Sequence, residues 1–175
     1  MYLRPTLVIF LGAMATLFAQ TNPDRPRQEP AKTNPTAGIS QPERRFVEDT
    51  LKSGHEEVEL SRMATQKASD RAVKDFAQRL VDDHSKANQE LENIAKSKSI
   101  SMPAMRHSTP ANISNATGAD FDRAYINQMI ANHQKGVANF ERMSTQAQDA
   151  QLRDFVTRTL PTLREHLSQA QSLKK

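Results

Sequence analysis

The chain has 175 residues, no cysteine and no tryptophan, and only 5% of it is aromatic. That length holds one domain plus some extra chain, and the missing thiols exclude disulfides, thiolate metal sites, iron–sulfur clusters, a cysteine nucleophile and a lipobox anchor. The formal charge is a mild +4, and with few aromatics to stack on bases and no long basic run, nucleic acid is set aside as a partner.

Residues 1–19 read as a secretory signal peptide. Arg4 supplies a positive start, residues 7–18 form a nearly unbroken apolar run, and Ala19 is a small residue for cleavage. Cleavage after Ala15 is the alternative. A membrane helix needs about 20 apolar residues, so the cleaved chain keeps no stable transmembrane span. The expected location is periplasmic or secreted. A protein that works there without disulfides takes its stability from packing.

Residues 20–42 carry five of the nine prolines and almost nothing apolar. This composition predicts an extended, disordered linker. From Gln41 onward there are 20 basic and 18 acidic residues, a net of +2. The folded part is near neutral.

From Glu43 the pattern is helical. Phe46, Thr50, Ser53, Glu57, Leu60 and Ala64 step by three and four and mark the inward face of a first helix. Ala68-Ser69-Asp70 breaks it, and Asp70 is placed to cap a second helix. That helix carries the stripe Val73, Phe76, Leu80, His84, Ala87, Leu91 and Ile94. Residues 100–117 read as a loop. Asp120 opens a third helix with the stripe Asp122, Ile126, Met129, His133, Val137, Phe140 and Ser144. Asp149 opens a fourth with Leu152, Phe155 or Val156, Thr159, Leu163, His166, Ala170 and Leu173. Pro161 lies inside it and is expected to kink it.

An internal repeat supports this division. Arg62-Met63-Ala64-Thr65-Gln66 recurs as Arg142-Met143-Ser144-Thr145-Gln146, and an aspartate and an Asp-Phe pair follow each copy. The offset is 80 residues at the first motif and 79 at the later ones. Two copies of a helical hairpin make an all-α four-helix bundle over 43–175. The joining segment is long enough to cross the bundle, as in a ferritin-like arrangement.

Three of the five histidines, His84, His133 and His166, fall on the inward stripes of three helices, and Glu57 falls on the fourth. Asp83 adjoins His84. Asp122 shares the stripe of His133, but 11 residues along a helix is about 16 Å, too far for one ion. Imidazoles and a carboxylate converging in a bundle core are material for one transition-metal ion, Zn, Fe or Cu. The alternative is a structural polar network in which Glu57 and Tyr125 satisfy the histidines. The di-iron pattern is absent: Val81, Ile130 and Leu163 stand where Glu-x-x-His would need glutamates.

Other groups are weaker candidates. His55 and Glu59 are spaced to pair on an exposed face. Met102, Met105 and His107 offer soft ligands for Cu(I) in a loop. Asn112 and Asn115 begin glycosylation sequons, which matter only in a eukaryotic secretory route. With no phosphate loop, nucleophile elbow or metal-free nucleophile and base pair, an enzyme is the lesser expectation.

In order, Phe46-Val-Glu, Glu57-Val-Glu-Leu, Val81-Asp-Asp-His84, Phe121-Asp-Arg-Ala-Tyr125, His133 and Leu160-Pro-Thr-Leu-Arg-Glu-His166 resemble a known family. It is an exported bacterial domain of unknown function with a ferritin-like bundle, often labelled a membrane or outer-membrane protein. The resemblance covers residues 43–173. It implies a ferritin-like four-helix fold, a periplasmic location and no established reaction. Its characteristic residues map here onto Glu57, Asp83, His84, Asp122, Tyr125, His133 and His166. Two functions follow: a metal-holding envelope bundle, or a non-enzymatic module whose linker tethers it near an envelope protein.

Overall fold

The computed structural model describes residues 38–101 and 109–174. The expected signal peptide, nearly all of the linker and the Met102, Met105 and His107 group lie outside the described residues. Four long helices dominate: α1 (Gln41–Lys67), α2 (Arg71–Ser97), α4 (Gly118–Gln146) and α5 (Ala150–Leu173). A single-turn α3 (Ala111–Ser114) precedes α4. Among the described residues there is no strand and no helix long and apolar enough to cross a membrane.

The helix boundaries follow from capping. α1 begins two residues earlier than the periodicity suggested. Ser40 and Glu43 form a capping box, and Pro42 sits in the first turn, where its missing N–H costs nothing. Asp70 and Asp149 cap α2 and α5, accepting from Ala72 N and Leu152 N. α4 starts at Gly118 instead of Asp120, with Gly118 at φ 56°, and the loop expected over 100–117 contains α3. α2 ends with Ser99 at φ 53° while Ile100 N and Ser99 N bond back to Ala95 O and Lys96 O. That pattern usually selects glycine. α5 runs without a break through Pro161, which faces solvent.

Each hairpin pairs neighbours in sequence, α1 with α2 and α4 with α5; α1 also packs on α4, and α2 on α5. Phe46 meets Phe140 near one end of the bundle and Ser61 meets Tyr125 nearer the other, so α1 and α4 are antiparallel. Glu90 pairs with Arg158 while Arg79 pairs with Glu165, so α2 and α5 are antiparallel too. α2 and α4 therefore point the same way. The connection between them must travel the length of the bundle, about 40 Å for helices of this size. This is the crossing expected of a ferritin-like topology.

The core is in two parts. One apolar cluster includes Phe46, Leu51, Leu91, Phe140, Leu152 and Phe155. The other includes Phe76, Leu80, Ile113, Phe121, Tyr125 and Met129. Each fully buried side chain of this size contributes roughly 1.5–3 kcal/mol. On α1 the inward face differs from the expected one. Ser53 is exposed and Thr50 half-buried, while Val47, Leu51, Gly54, Val58 and Ser61 are buried.

The two ends are closed by matching carboxylates. Glu43 at the start of α1 accepts from Gln148 N (2.8 Å) and Asp149 N (2.9 Å) in the α4–α5 turn. Asp122 at the start of α4 accepts from Ser69 N (3.0 Å) and Asp70 N (2.9 Å) in the α1–α2 turn. Each hairpin's first helix thus fastens the other hairpin's turn. Glu43 and Asp122 are 79 residues apart, as are the two turns. The structural repeat therefore runs at 79, and buried Ala64 corresponds to buried Met143. The five-residue motif match at 80 is one residue out of step with it.

Two stability effects follow. Burial pushes the Glu43 carboxyl up, but bonds from the Asp149, Ser40 and Gln148 backbones and the Ser40 hydroxyl outweigh it and hold it below its usual range. A carboxyl lowered on folding stabilises above its unfolded value and loses that contribution as pH falls through the lower folded one. Urea titrations from pH 7 to pH 3 should show Glu43→Gln less stable by about 1–2 kcal/mol at neutral pH, with a flatter acid limb than the parent. Ser99→Gly should raise stability by about 1 kcal/mol, since glycine adopts a left-handed backbone without steric cost.

Candidate metal centre

A polar layer lies between the two apolar clusters. Glu57 on α1, His84 on α2, His133 on α4 and His166 on α5 are 8%, 7%, 2% and 1% exposed. Each sits on the inward stripe of its own helix, and the antiparallel packing brings all four to one level. Each pair of imidazole centroids is 5.4 Å apart, so the rings form an equilateral triangle. One nitrogen of each histidine lies within 4.8 Å of the other two.

Hydrogen bonds fix how the rings present themselves. His133 Nδ1 donates to the Met129 carbonyl one turn back at 2.9 Å, which leaves its Nε2 as a bare lone pair. His166 Nε2 donates to the Asp83 carboxylate at 3.0 Å. Its Nδ1 is buried without a hydrogen-bond partner. His84 Nε2 lies 3.4 Å from His133 Nε2 and 3.3 Å from Glu57 Oε2. In the metal-free arrangement that nitrogen carries a proton, because the His133 nitrogen facing it can only accept.

Burial sets the charge of the cluster. It pushes the His84 imidazole below its usual value against the attraction of Glu57, with His133 adding to the lowering. It pushes His166 down to about 4, more than the Asp83 bond restores. Both rings are neutral at neutral pH, the form in which imidazole binds a metal. Burial also raises the Asp83 carboxyl, but the His166 hydrogen bond and Arg79 outweigh it and keep Asp83 ionised.

The donor set fits one small ion. Tetrahedral coordination at about 2.0–2.1 Å puts neighbouring donor atoms about 3.3–3.4 Å apart. The two closest pairs in the cluster have that spacing. The Met129 carbonyl and Asp83 hold the far nitrogens of His133 and His166, the supporting arrangement metal-ligating histidines ordinarily have. Glu57 is the carboxylate beside the cluster, 3.3 Å from His84 Nε2 and 3.8 Å from His133 Nδ1 on the side of that ring that bonds Met129. A second ion of the di-iron kind would lack its bridging glutamates.

Four of the residues singled out in the sequence have their partners outside the triangle's centre. Asp83 adjoins His84 in sequence, but successive helix positions point about 100° apart, and its partner is His166 on α5. Asp122 belongs to the end latch. Tyr125 bonds Ser61 Oγ at 2.9 Å instead of a histidine, and burial raises its hydroxyl pKa. His55 pairs with Glu92 across α1 and α2 at 3.0 Å, not with Glu59. Sequence reasoning passed over Asn88, buried one turn beyond His84 on the same stripe, with its amide nitrogen unpartnered. Its four-residue spacing from His84 was the available signal.

Fold and site together define a ferritin-like helical bundle with a histidine cluster at its centre. The chain belongs to the family described as domain of unknown function DUF4142, whose profile matches residues 28–173. Among proteins of curated function none matches it. Several solved structures share the fold at low identity. The chain is similar to CopM in its Cu(II)-bound form, with 19% identity, a TM-score of 0.66 and coverage of 75% of this chain and 95% of that one. It is similar to a DUF305 fragment from Deinococcus radiodurans, with 15% identity, a TM-score of 0.69 and coverage of 79% and 98%. An Anabaena variabilis protein with DJ-1-like and ferritin-like domains aligns at 16% identity and a TM-score of 0.59, covering 86% of this chain and 44% of that one.

Removing the Tyr125 hydroxyl separates the apolar half from the cluster. Tyr125→Phe should cost about 1 kcal/mol in urea denaturation, because buried Ser61 loses its partner. The histidine side-chain NMR signals should stay where they are.

Proposed function

We propose that this chain is a metal-binding bundle of the bacterial cell envelope that holds one transition-metal ion on His84, His133, His166 and Glu57. One observation carries the reading. Three buried imidazoles meet in the core with one nitrogen of each within 4.8 Å of the other two, and the Nδ1 of His166 has no protein hydrogen-bond partner. A buried polar atom without a partner is rare, and an ion at the centre of the triangle would satisfy it. Imidazole with a single carboxylate suits Zn, Fe or Cu. When bound, the ion supplies a Lewis-acidic centre in a water-poor core. Structures of CopM with Cu(II), Cu(I) and Ag share this fold, which supports a bundle of this shape as a carrier of such ions. The leader at 1–19 supports a periplasmic or secreted setting, and the 20–42 spacer suits a tether to an envelope partner.

The alternative is a purely structural polar network, and metal titration distinguishes the two. Chelator-stripped protein titrated with Zn(II), Cu(II), Fe(II) and Ni(II) should take up one equivalent of at least one of them. Its melting temperature should rise, since binding the native state alone stabilises it by about 4 kcal/mol at a thousand times Kd. His166→Ala should abolish that rise. If no metal binds tighter than about 10 μM and none moves the melting temperature, the network is structural.

A further inference from the structure

A ligand set buried in a core needs a way in. Glu57, His84, His133 and His166 are all buried, yet two recesses reach them from opposite seams of the bundle. The larger, about 280 Å³, opens between α1 and α4 and has Glu57, His84 and His133 on its lining. The smaller, about 210 Å³, opens between α2 and α5 and touches His84 and His166.

Charge separates the two. The α1–α4 recess carries Asp49, Glu56 and Glu57 against Lys135 alone. Asp49 is exposed at the mouth, Glu56 is half-buried behind it, and Glu57 lies at the floor. Among the described residues neither Asp49 nor Glu56 enters a salt bridge. In the α2–α5 recess Asp83 and Glu90 are balanced by Lys86 and Arg158. Both acids are already engaged there, Glu90 with Arg158 at 2.7 Å and Asp83 with His166 at 3.0 Å. Arg45 and Arg142 stand on an adjoining groove of the α1–α4 seam, so the acidic sign belongs to the recess and not to the whole seam.

The repeat keeps the α1–α4 seam open. In the register of 79 set by the Glu43 and Asp122 latches, Glu57 corresponds to Gly136 and His133 to Gly54. Each of the two helices thus has glycine where the other carries a ligand-type side chain. A Cβ on Gly136 would meet nothing within 4 Å, so the wall there is bare. A Cβ on Gly54 would collide with Asn88 Oδ1, so glycine lets Asn88 sit against α1. Asn88 is 6% exposed, lines the recess one turn from His84, and its Nδ2 has no protein hydrogen-bond partner. Water satisfies such a donor in a polar recess this large, since one water needs only about 15 Å³. The recess is therefore a wet path from solvent to the ligands.

We propose that the α1–α4 recess is the passage by which a divalent transition-metal cation reaches and leaves the histidine cluster, with Asp49 and Glu56 drawing it in and Glu57 receiving it. The proposal rests on the metal reading above. An acid-lined cleft with apolar walls raises the local concentration of cations and their rate of arrival. A passage sets how fast the ion exchanges, and the four ligands set how tightly it is held.

Stopped-flow uptake of Co(II) by the full-length protein tests this, with the visible Co(II) spectrum as readout and release followed into excess chelator. Gly136→Leu puts a side chain into open space on a helix, where leucine is the better helix former. It should slow uptake and release alike, by about tenfold or more, and leave Kd within about threefold. Thr162→Leu narrows the α2–α5 recess instead and should leave both rates within about twofold of the parent's. Asp49→Asn with Glu56→Gln should slow uptake several-fold at about 0.01 M ionic strength and hardly at all at about 1 M, where screening is complete within about 3 Å. Parental rates in Gly136→Leu overturn the proposal, as does equal slowing by Thr162→Leu or a low-salt uptake that ignores loss of the two acids. A parent that retains no Co(II) overturns the metal reading and the passage with it.

Discussion

Everything in this bundle turns on how a polar layer is satisfied in the middle of an apolar core. Glu57, His84, His133 and His166 separate two hydrophobic clusters that would otherwise merge. An unpartnered buried polar group costs about 1–3 kcal/mol, so four such side chains would offset much of a small domain's net stability. The chain meets this partly from within. Met129 and Asp83 accept from two rings, and Glu57 faces the third. What remains unmet in the cluster is the lone pair of His166 Nδ1, buried beside the other two rings, and a cation shared by the three rings answers it.

Duplication explains how one chain builds both a symmetric scaffold and an asymmetric centre. The scaffold keeps the symmetry: each first helix carries a carboxylate that fastens the opposite turn, and each second helix starts on an aspartate. The Phe46–Phe140 contact has its counterpart in the Tyr125–Ser61 hydrogen bond. The centre gives the symmetry up. Each hairpin carries two of the ligand-type residues, and the positions 79 residues away from Glu57, His84, His133 and His166 are Gly136, Leu163, Gly54 and Ala87. Structural load thus sits at the two ends, and the middle is free to specialise.

Much of this was legible in the sequence, for physical reasons that name its limits. The stripes of α2 and α5 read cleanly because their polar exceptions are few, so His84 and His166 stood out. α1 read less well. Its buried face includes Gly54 and Ser61, which carry little hydrophobic signal, while the outer Thr50 and Ser53 keep the three-and-four spacing. Spacing places a residue on a face but does not give its depth relative to another helix. That is why Glu57 and the three histidines could be grouped while the partners of Asp83 and Tyr125 could not. Asp122 shares a stripe with His133, and only the fold shows that its level belongs to a turn. The duplicated aspartates were visible; the matching of Gly54 and Gly136 to ligand positions needed the register of 79 that the latches establish.

The account stands on an ion at the centre of the histidine triangle, and anomalous diffraction from crystals of the metal-loaded protein looks for it directly. A single peak at the metal's absorption edge, about 2.0–2.2 Å from His84 Nε2, His133 Nε2 and His166 Nδ1, is the result it predicts. Peaks confined to the surface, or a triangle that stays free of anomalous signal in fully loaded crystals, would contradict it.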